Sequence, residues 1–315
     1  MNAERAKSMV GSSKQLPGSG QIFLDHAGWY VPDLDKVGKT FDRLGFRLTP
    51  YSLHGDQDPI SGRLIPQGSA NRLAMMESGY LEFLTHVEGS DTPITRHLQS
   101  RMEQYVGVHL TAFSVADAEA EANRLSADGF ALQPTVNLRR TTEDAGGTET
   151  EVAFTVVRAN FDTFPEGRIQ TLTHHTPEQV WQPRFIACDN AISGLAEVVF
   201  SVNDPLDSAE RLAKFTARRA VETDHGMKIS LDRGKLTFVK SDDVWQMLGI
   251  NGGHSAPATV AVGLFSRDIS KTREYLSGRG IRLVDERPDR LIIDPCEALG
   301  AALVVYPVRA GTRSN

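Results

Sequence analysis

Apolar and polar residues alternate along this chain in short runs, and several of those runs stop at an aspartate. Ile22 to Val31 alternates as a strand does, and Pro32-Asp33 closes it. Asp33 suits the N-cap of a helix. After it, Val37, Phe41 and Leu44 fall at i, i+4 and i+7, on one helical face, and Gly45 supplies a left-handed stop. A second strand is predicted from Arg47 to Leu53, then a long polar loop from His54 to Ser69. A hairpin follows: Asn71 to Met76, a Ser78-Gly79 turn, and Tyr80 to His86.

The order then returns. Asp33…Gly45-Phe46 is matched at the same twelve-residue spacing by Asp117…Gly129-Phe130 and Asp268…Gly280-Ile281, with a blurred copy from Asp204 to Thr216. The second copy has its strand at Val108 to Val115, a helix face of Ala118, Ala122 and Leu125, and a charged loop from Arg139 to Thr150. Strands at Val152 to Arg158 and Arg168 to Leu172 complete it. The third runs from Leu195 to Val202 through a helix at Leu206 to Ala217. It ends in a hairpin, Met227 to Leu231 and Lys235 to Lys240, turning at Asp232-Arg233-Gly234. The fourth has Thr259 to Phe265, a helix at Ile269 to Leu276, and strands near Arg290 to Ile293 and Ala301 to Tyr306.

Each copy therefore reads βαβββ, and an internal repeat of this size decides the fold. One such unit exposes an apolar sheet face and must pair with another to bury it. The expectation is an α+β fold of four modules in two domains, residues 21–185 and 194–308, divided within Pro183 to Gly194. Residues 1–20, polar and rich in Gly, Ser and Lys, are expected to be a disordered tail without the apolar core of a secretory signal.

Composition narrows function mainly by exclusion. The 315 residues are 40% hydrophobic and 23% charged, with a formal net charge of −6 and no basic stripe, so nucleic acid is not an expected partner. No apolar run approaches a membrane span. Cys188 and Cys296 stand far apart with no CxxC spacing, which suggests a reducing, cytoplasmic setting and no thiolate metal site. A homodimer is left open.

The βαβββ repeat, the Val-Pro-Asp-Leu turn after the strand bearing His26, and the Leu44-Gly45-Phe46 helix exit resemble the vicinal oxygen chelate superfamily. That group includes glyoxalase I, bleomycin-resistance proteins and extradiol dioxygenases. The resemblance covers about residues 20–307. Asp25-His26-Ala27-Gly28, Gly79-Tyr80-Leu81-Glu82 and Thr176-Pro177-Glu178 with Trp181 look closer still to its glyoxalase-like members.

The resemblance implies a cup formed by two modules around one divalent metal (Fe, Zn, Mn, Ni or Co), held by side chains of the first and last strand of each module. The implied set is His26 and Glu82 from copy one, His109 and Gln170 from copy two. Imidazole with carboxylate and amide oxygen suits those metals. All ligands must share one face of the sheet. His26 lies seven residues before Asp33, whereas His109 lies eight before Asp117. His109 joins the set if a bulge absorbs the extra residue; otherwise Leu110 faces the cup. Pairing of module one with two, or of one with four, stays open. Glu197 and Ala261 hold the equivalent position in copies three and four, and the second half reads as a structural partner. His225 and His254 there read as surface residues.

His54, Arg72 (beside Asn71), Arg140 (beside Arg139), His175 and Trp181 are candidate substrate contacts, on or beside long loops and the hairpin. His174 points opposite to His175, so only one of the two can enter a cup. The reaction implied is glyoxalase-like lyase or isomerase chemistry, with Glu82 as both ligand and proton shuttle. The alternatives are an extradiol-type ring-cleaving dioxygenase using Fe(II), and a metal-free protein that binds or sequesters a small molecule.

Overall fold

The computed structural model describes residues 15–57, 64–144, 146–186, 189–250 and 254–308. The first module comprises β1 (Ile22–Tyr30), α1 (Leu34–Arg43), β2 (Ser52–Gln57), β3 (Leu64–Met75) and β4 (Tyr80–His86). Helix α2 (Pro93–Gln104) leads to the second: β5 (Gly107–Val115), α3 (Ala118–Ala127), β6 (Val136–Glu143), β7 (Glu149–Arg158) and β8 (Arg168–His174). A short helix, α4 (Pro177–Val180), begins the connection to the other half. There the third module is β9 (Ile192–Val202), α5 (Pro205–Thr216), β10 (Ala220–Thr223), β11 (Gly226–Ser230) and β12 (Lys235–Lys240). After α6 (Val244–Leu248) come β13 (Ala258–Ser266), α7 (Ile269–Gly278), β14 (Leu283–Arg287), β15 (Arg290–Ile293) and β16 (Ala302–Pro307).

The strands form two eight-stranded sheets, ordered β2-β3-β4-β1-β5-β8-β7-β6 and β10-β11-β12-β9-β13-β16-β15-β14. Module one thus pairs with two, and three with four, through antiparallel first strands. Within each module the first and last strands run parallel. All four aspartates of the repeat cap their helices, each side chain accepting two backbone N–H groups. Gly45, Gly129 and Gly280 all have positive φ, whereas in the blurred copy Ala217 takes the left-handed position.

Several expected boundaries move. Both long loops are partly strand: the first is framed by β2 and β3, with residues 58–63 outside the described set, and β6–β7 pair from Val136↔Val156 to Glu143↔Glu149. Residues 1–14 lie outside the described set as well, but the end of the supposed tail is docked: Gln15 is buried and its Oε1 accepts from Gly79 N (3.4 Å) and Arg233 Nη1 (3.1 Å). Helix α2 is an addition. Thr92 caps it and Pro93 opens it, both ordinary helix-start signals.

The register of the first strands decides what enters the cup. On β1, Leu24 pairs with Phe113 and His26 with Ala112, so Asp25 is the extra residue of a bulge. On β5, Leu110 pairs with Gly28 and Val108 with Trp29, so His109 is extra. The second sheet repeats this at Ala196 and Val260. Each of the four lies eight residues before its helix-capping aspartate. A bulge therefore exists in every copy, and the counterpart of His109 is Asp25. Leu110 is the counterpart of His26.

The largest apolar cluster spans both halves, joining Trp29, Phe41 and Phe113 to Phe200, Phe215 and Leu303. The indole of Trp29 donates to the Ala298 carbonyl (3.0 Å) across that boundary. The two sheets share one core.

Candidate functional site

The concave face of the first sheet carries two rows of side chains, set by strand register. One row runs Tyr80, His26, Ala112, Gln170, Arg158 across β4, β1, β5, β8 and β7. The next runs Leu73, Glu82, Gly28, Leu110, Arg168. They line a cavity of about 100 Å³ whose walls are otherwise mostly apolar, among them Leu84, Leu98, Leu138 and Phe154.

At its floor, His26 Nε2 lies 3.4 Å from Glu82 Oε2, and Asn71 Nδ2 donates to Glu82 Oε1 at 2.7 Å. All three residues are buried. His26 Nδ1 lies 2.7 Å from Asp25 Oδ1, and Asp25 Oδ2 lies 2.9 Å from His174 Nε2. Burial alone would raise the Asp25 pKa. The charge of His174, with hydrogen bonds from His174 and His26, outweighs that and holds the carboxyl well below the usual carboxylate range. An ionised Asp25 only accepts, so both imidazole nitrogens facing it carry protons. His26 is thereby fixed with Nδ1–H toward Asp25 and Nε2 toward Glu82 and the cavity. The Tyr80 ring stacks on His26 (centroids 4.5 Å) and holds its plane.

The predicted residues divide by face. His26, Glu82 and Gln170 meet in the cavity. His109 does not: its Nε2–H donates to the Tyr105 carbonyl (2.8 Å), and its ring packs on Tyr105 and Tyr30. The expectation that a bulge would rescue it is corrected, since that bulge turns His109 away and delivers Leu110. Arg72 also lies on the other face, donating from Nε to Thr49 O, and Asn71 takes the cup position instead. His54 lines the cavity with its Nδ1 3.0 Å from Ser69 Oγ. His175 is exposed, 2.8 Å from Thr155 Oγ1, and outside the cavity lining. Trp181 is buried behind Tyr80 and His174, so it supports the floor rather than walling the pocket. The Arg140 side chain and Cys188 lie outside the described residues, while Arg139 lines the cavity paired with Glu151 (2.6 Å). His254, expected at the surface, is half-buried and stacked on Tyr105 (4.2 Å).

One family description, "Glyoxalase-like domain", matches residues 24–219, more than half of the chain. The chain belongs to the glyoxalase-like domain family. Its vicinal oxygen chelate fold is shared by solved structures at low identity. A hypothetical protein from Staphylococcus aureus superposes with TM-score 0.62 at 14% identity, over 91% of this chain and all of that one. A mutant 4-hydroxymandelate synthase from Streptomyces coelicolor gives 0.56 at 15%, over 94% of each chain. A xylose isomerase-like TIM barrel/4-hydroxyphenylpyruvate dioxygenase fusion protein gives 0.56 at 11%, over 96% of this chain and 51% of that one. No curated protein sequence matches. Among the described residues, no helix is long and apolar enough to cross a membrane.

The second sheet lacks the polar rows. Its counterparts of His26, Glu82, Leu110 and Gln170 are Glu197, Thr237, Ala261 and Val304. Glu197 is satisfied internally by Thr237 Oγ1 (2.5 Å), Tyr306 OH (2.8 Å) and Lys235 Nζ (3.2 Å). Val199, Val239, Val260 and Val304 pack against Val244 and Leu248 of α6, which fills the concavity. Sequence reasoning missed Asp25, Arg158 and Arg168. The arginines had a usable signal: Arg168 stands two residues before Gln170 on one strand, hence on its face.

The donors also bear on a metal. His26 Nε2 and Glu82 Oε2 are close enough to share an ion, Gln170 Oε1 is buried without a hydrogen-bond partner, and Asp25 supports the imidazole from behind. Among the described residues no group of three His, Cys, Asp or Glu could hold a metal, so an ion at His26 and Glu82 would need an amide oxygen such as that of Gln170 as a further donor. The chemistry of these donors, one imidazole, one carboxylate and one amide oxygen, suits a divalent ion.

Proposed function

We propose that this chain is an enzyme acting on a small oxygenated molecule in the first cup, by proton transfer next to an oxygen-bearing carbon. His26, Glu82 and Gln170 would hold one divalent metal. When bound, the ion supplies Lewis-acid polarisation of neighbouring substrate oxygens. The chain's own residues do the rest. Glu82 takes the proton from carbon and returns it to the neighbouring carbon, the substrate's hydroxyl proton passing to the former carbonyl oxygen, while Asn71 holds Oε1 and keeps Oε2 turned toward His26. Asp25 and Tyr80 orient His26, and the apolar walls exclude water. The observation that carries this reading is the arrangement at the base of an apolar cavity: Asp25 bonded to His26, His26 Nε2 3.4 Å from Glu82 Oε2, and Asn71 bonded to Glu82 Oε1.

Leu110 weighs against the ring-cleaving alternative, because two-His-one-carboxylate iron chemistry needs a second imidazole and the module-two counterpart of His26 is an alkyl chain. Leu110 also favours the second reading, a metal-free binding protein, in which the same groups only hydrogen-bond a ligand. Metal analysis and solvent exchange separate the two. We expect purified full-length protein to take up one equivalent of divalent metal and His26→Ala to lose it. We expect the loaded protein to exchange carbon-bound hydrogen of α-hydroxyketones for deuterium in D2O, seen by proton NMR. Glu82→Gln should abolish the exchange. No metal uptake and no exchange across such a panel would leave the binding-only reading standing.

A further inference from the structure

We propose that Arg168, with Arg158 beside it, forms an anion subsite in the first cup, and that the molecule bound there is a small carboxylate with an apolar body. This rests on the reading of that cup as the working site, and names its substrate class.

Arg168 is 7% exposed and Arg158 9%, and both line the cavity. The Nε of Arg168 has no hydrogen-bond partner. Among the described residues no salt bridge joins Arg168 to a carboxylate. A guanidinium taken out of water without a counter-charge is costly. Its surroundings do not offset that cost. Tyr30 and Arg101 are near, and His97 beside them is kept neutral: burial, then the charges of Arg168 and Arg101, push it down to about 3. Arg168 therefore lies at an electropositive end of the cavity, beside the neutral Tyr30 hydroxyl and, among the described residues, with no carboxylate against its guanidinium. A planar carboxylate fits the guanidinium fork.

The sheet register sets where the anion sits relative to the chemistry. Glu82 and Arg168 lie in one row, separated by Gly28 and Leu110. Three strand spacings of ~4.8 Å give about 14 Å along a flat sheet, and less across a curled one. The carboxylate is thus remote from the oxygens that reach His26 and Glu82. Between them lie Leu84, Leu98 and Leu110, which ask for an apolar body. In the filled second concavity the positions of Arg168 and Arg158 hold Ala302 and Ile292. The arginines go with the open cup and are absent from the closed one.

The test uses the full chain and calorimetric titration with phenylacetate, its neutral isostere phenylacetamide, and phenyl phosphate. We expect phenylacetate to bind roughly tenfold or more tighter than the amide. Arg168→Met should bring acid and amide within about twofold, with amide affinity unchanged. Arg168→Lys should restore part of the preference. Glu82→Gln should keep the preference while losing exchange activity. Equal binding of acid and amide by wild type, no binding of either at millimolar concentration, or tighter binding of phenyl phosphate than of phenylacetate would each overturn the proposal. The wild-type comparison decides it even where Arg168→Met fails to fold. Acid preference without metal uptake or exchange would retain the subsite and reject the catalytic reading; exchange without acid preference would do the reverse.

Discussion

At ordinary pH His109 is held neutral. Its side chain is 1% exposed, its ring lies on Tyr105, and its Nε2–H is committed to a carbonyl. Burial is the main cause, and it pushes the pKa down from 6.5 to about 4. The unfolded chain would bind a proton near pH 6.5, so between about 6.5 and 4 the unfolded state takes up more protons. The stabilisation is complete above pH 6.5 and is lost as pH falls through that window, by roughly 3 kcal/mol at its lower end. We expect His109→Gln to flatten the fall in denaturant-derived stability between pH 6.5 and 4.5 relative to wild type. Parallel profiles for the two proteins would refute the assignment. Single residues were legible where one count located them. The seven-residue interval to the helix cap found His26, and the alignment of last strands put Glu82 level with Gln170. Asp25 was not legible, because strict alternation aims it away from its neighbour. Only the bulge brings Asp25 and His26 to each other.

The bulged pair of first strands is the element on which the cup depends. Asp25 on β1 and His109 on β5 add one residue each, and Gly28 faces Leu110 between the two bulges. A Cβ on Gly28 would stand 2.8 Å from Leu110 Cδ2 and 2.9 Å from its Cβ, so no side chain fits unless Leu110 moves. Gly28→Ala should destabilise the protein by about 1–3 kcal/mol, as overpacking does in a filled interior. Leu110→Ala combined with it should cost less than the sum of the two single changes. Chemical denaturation of the four proteins measures that coupling, and strict additivity would mean the close approach is not what Gly28 is for. Element identity was largely legible, since the Asp caps and the apolar faces of α1, α3 and α7 are local signals. Helix α2 had signals too, with Ile94, Leu98 and Met102 at i, i+4 and i+8. It sits between modules, where a repeat offers nothing to compare it with.

The two halves meet at the first cup's own strand. The β11–β12 turn, Asp232-Arg233-Gly234, docks on the start of β1. Leu24 N donates to Arg233 O (2.7 Å), Ile22 N to Asp232 Oδ2 (2.8 Å), and Asp232 N to Ile22 O (3.1 Å). The Arg233 guanidinium lies over Phe23 (4.5 Å), and its charge is felt by Asp25. None of this was legible as an interface. The turn reads as an ordinary hairpin, and module pairing stayed open because any first strand can pair antiparallel with any other. The docking makes the second half part of the site without lending it a ligand. Gly234 has φ +88, and a Cβ there would lie 2.6 Å from Leu24 Cβ. Gly234→Ala therefore strains the turn and pushes on β1 directly before Asp25. We expect a lower melting temperature and weaker metal uptake at the first cup, although residue 234 lines no part of it. Glu222→Ala, an exposed change on β10 of the same half, should alter neither. If Gly234→Ala lowers the melting temperature but leaves metal affinity at the wild-type value, the turn only holds the halves together. If both fall in step, the second half's turn sets the position of His26 through β1.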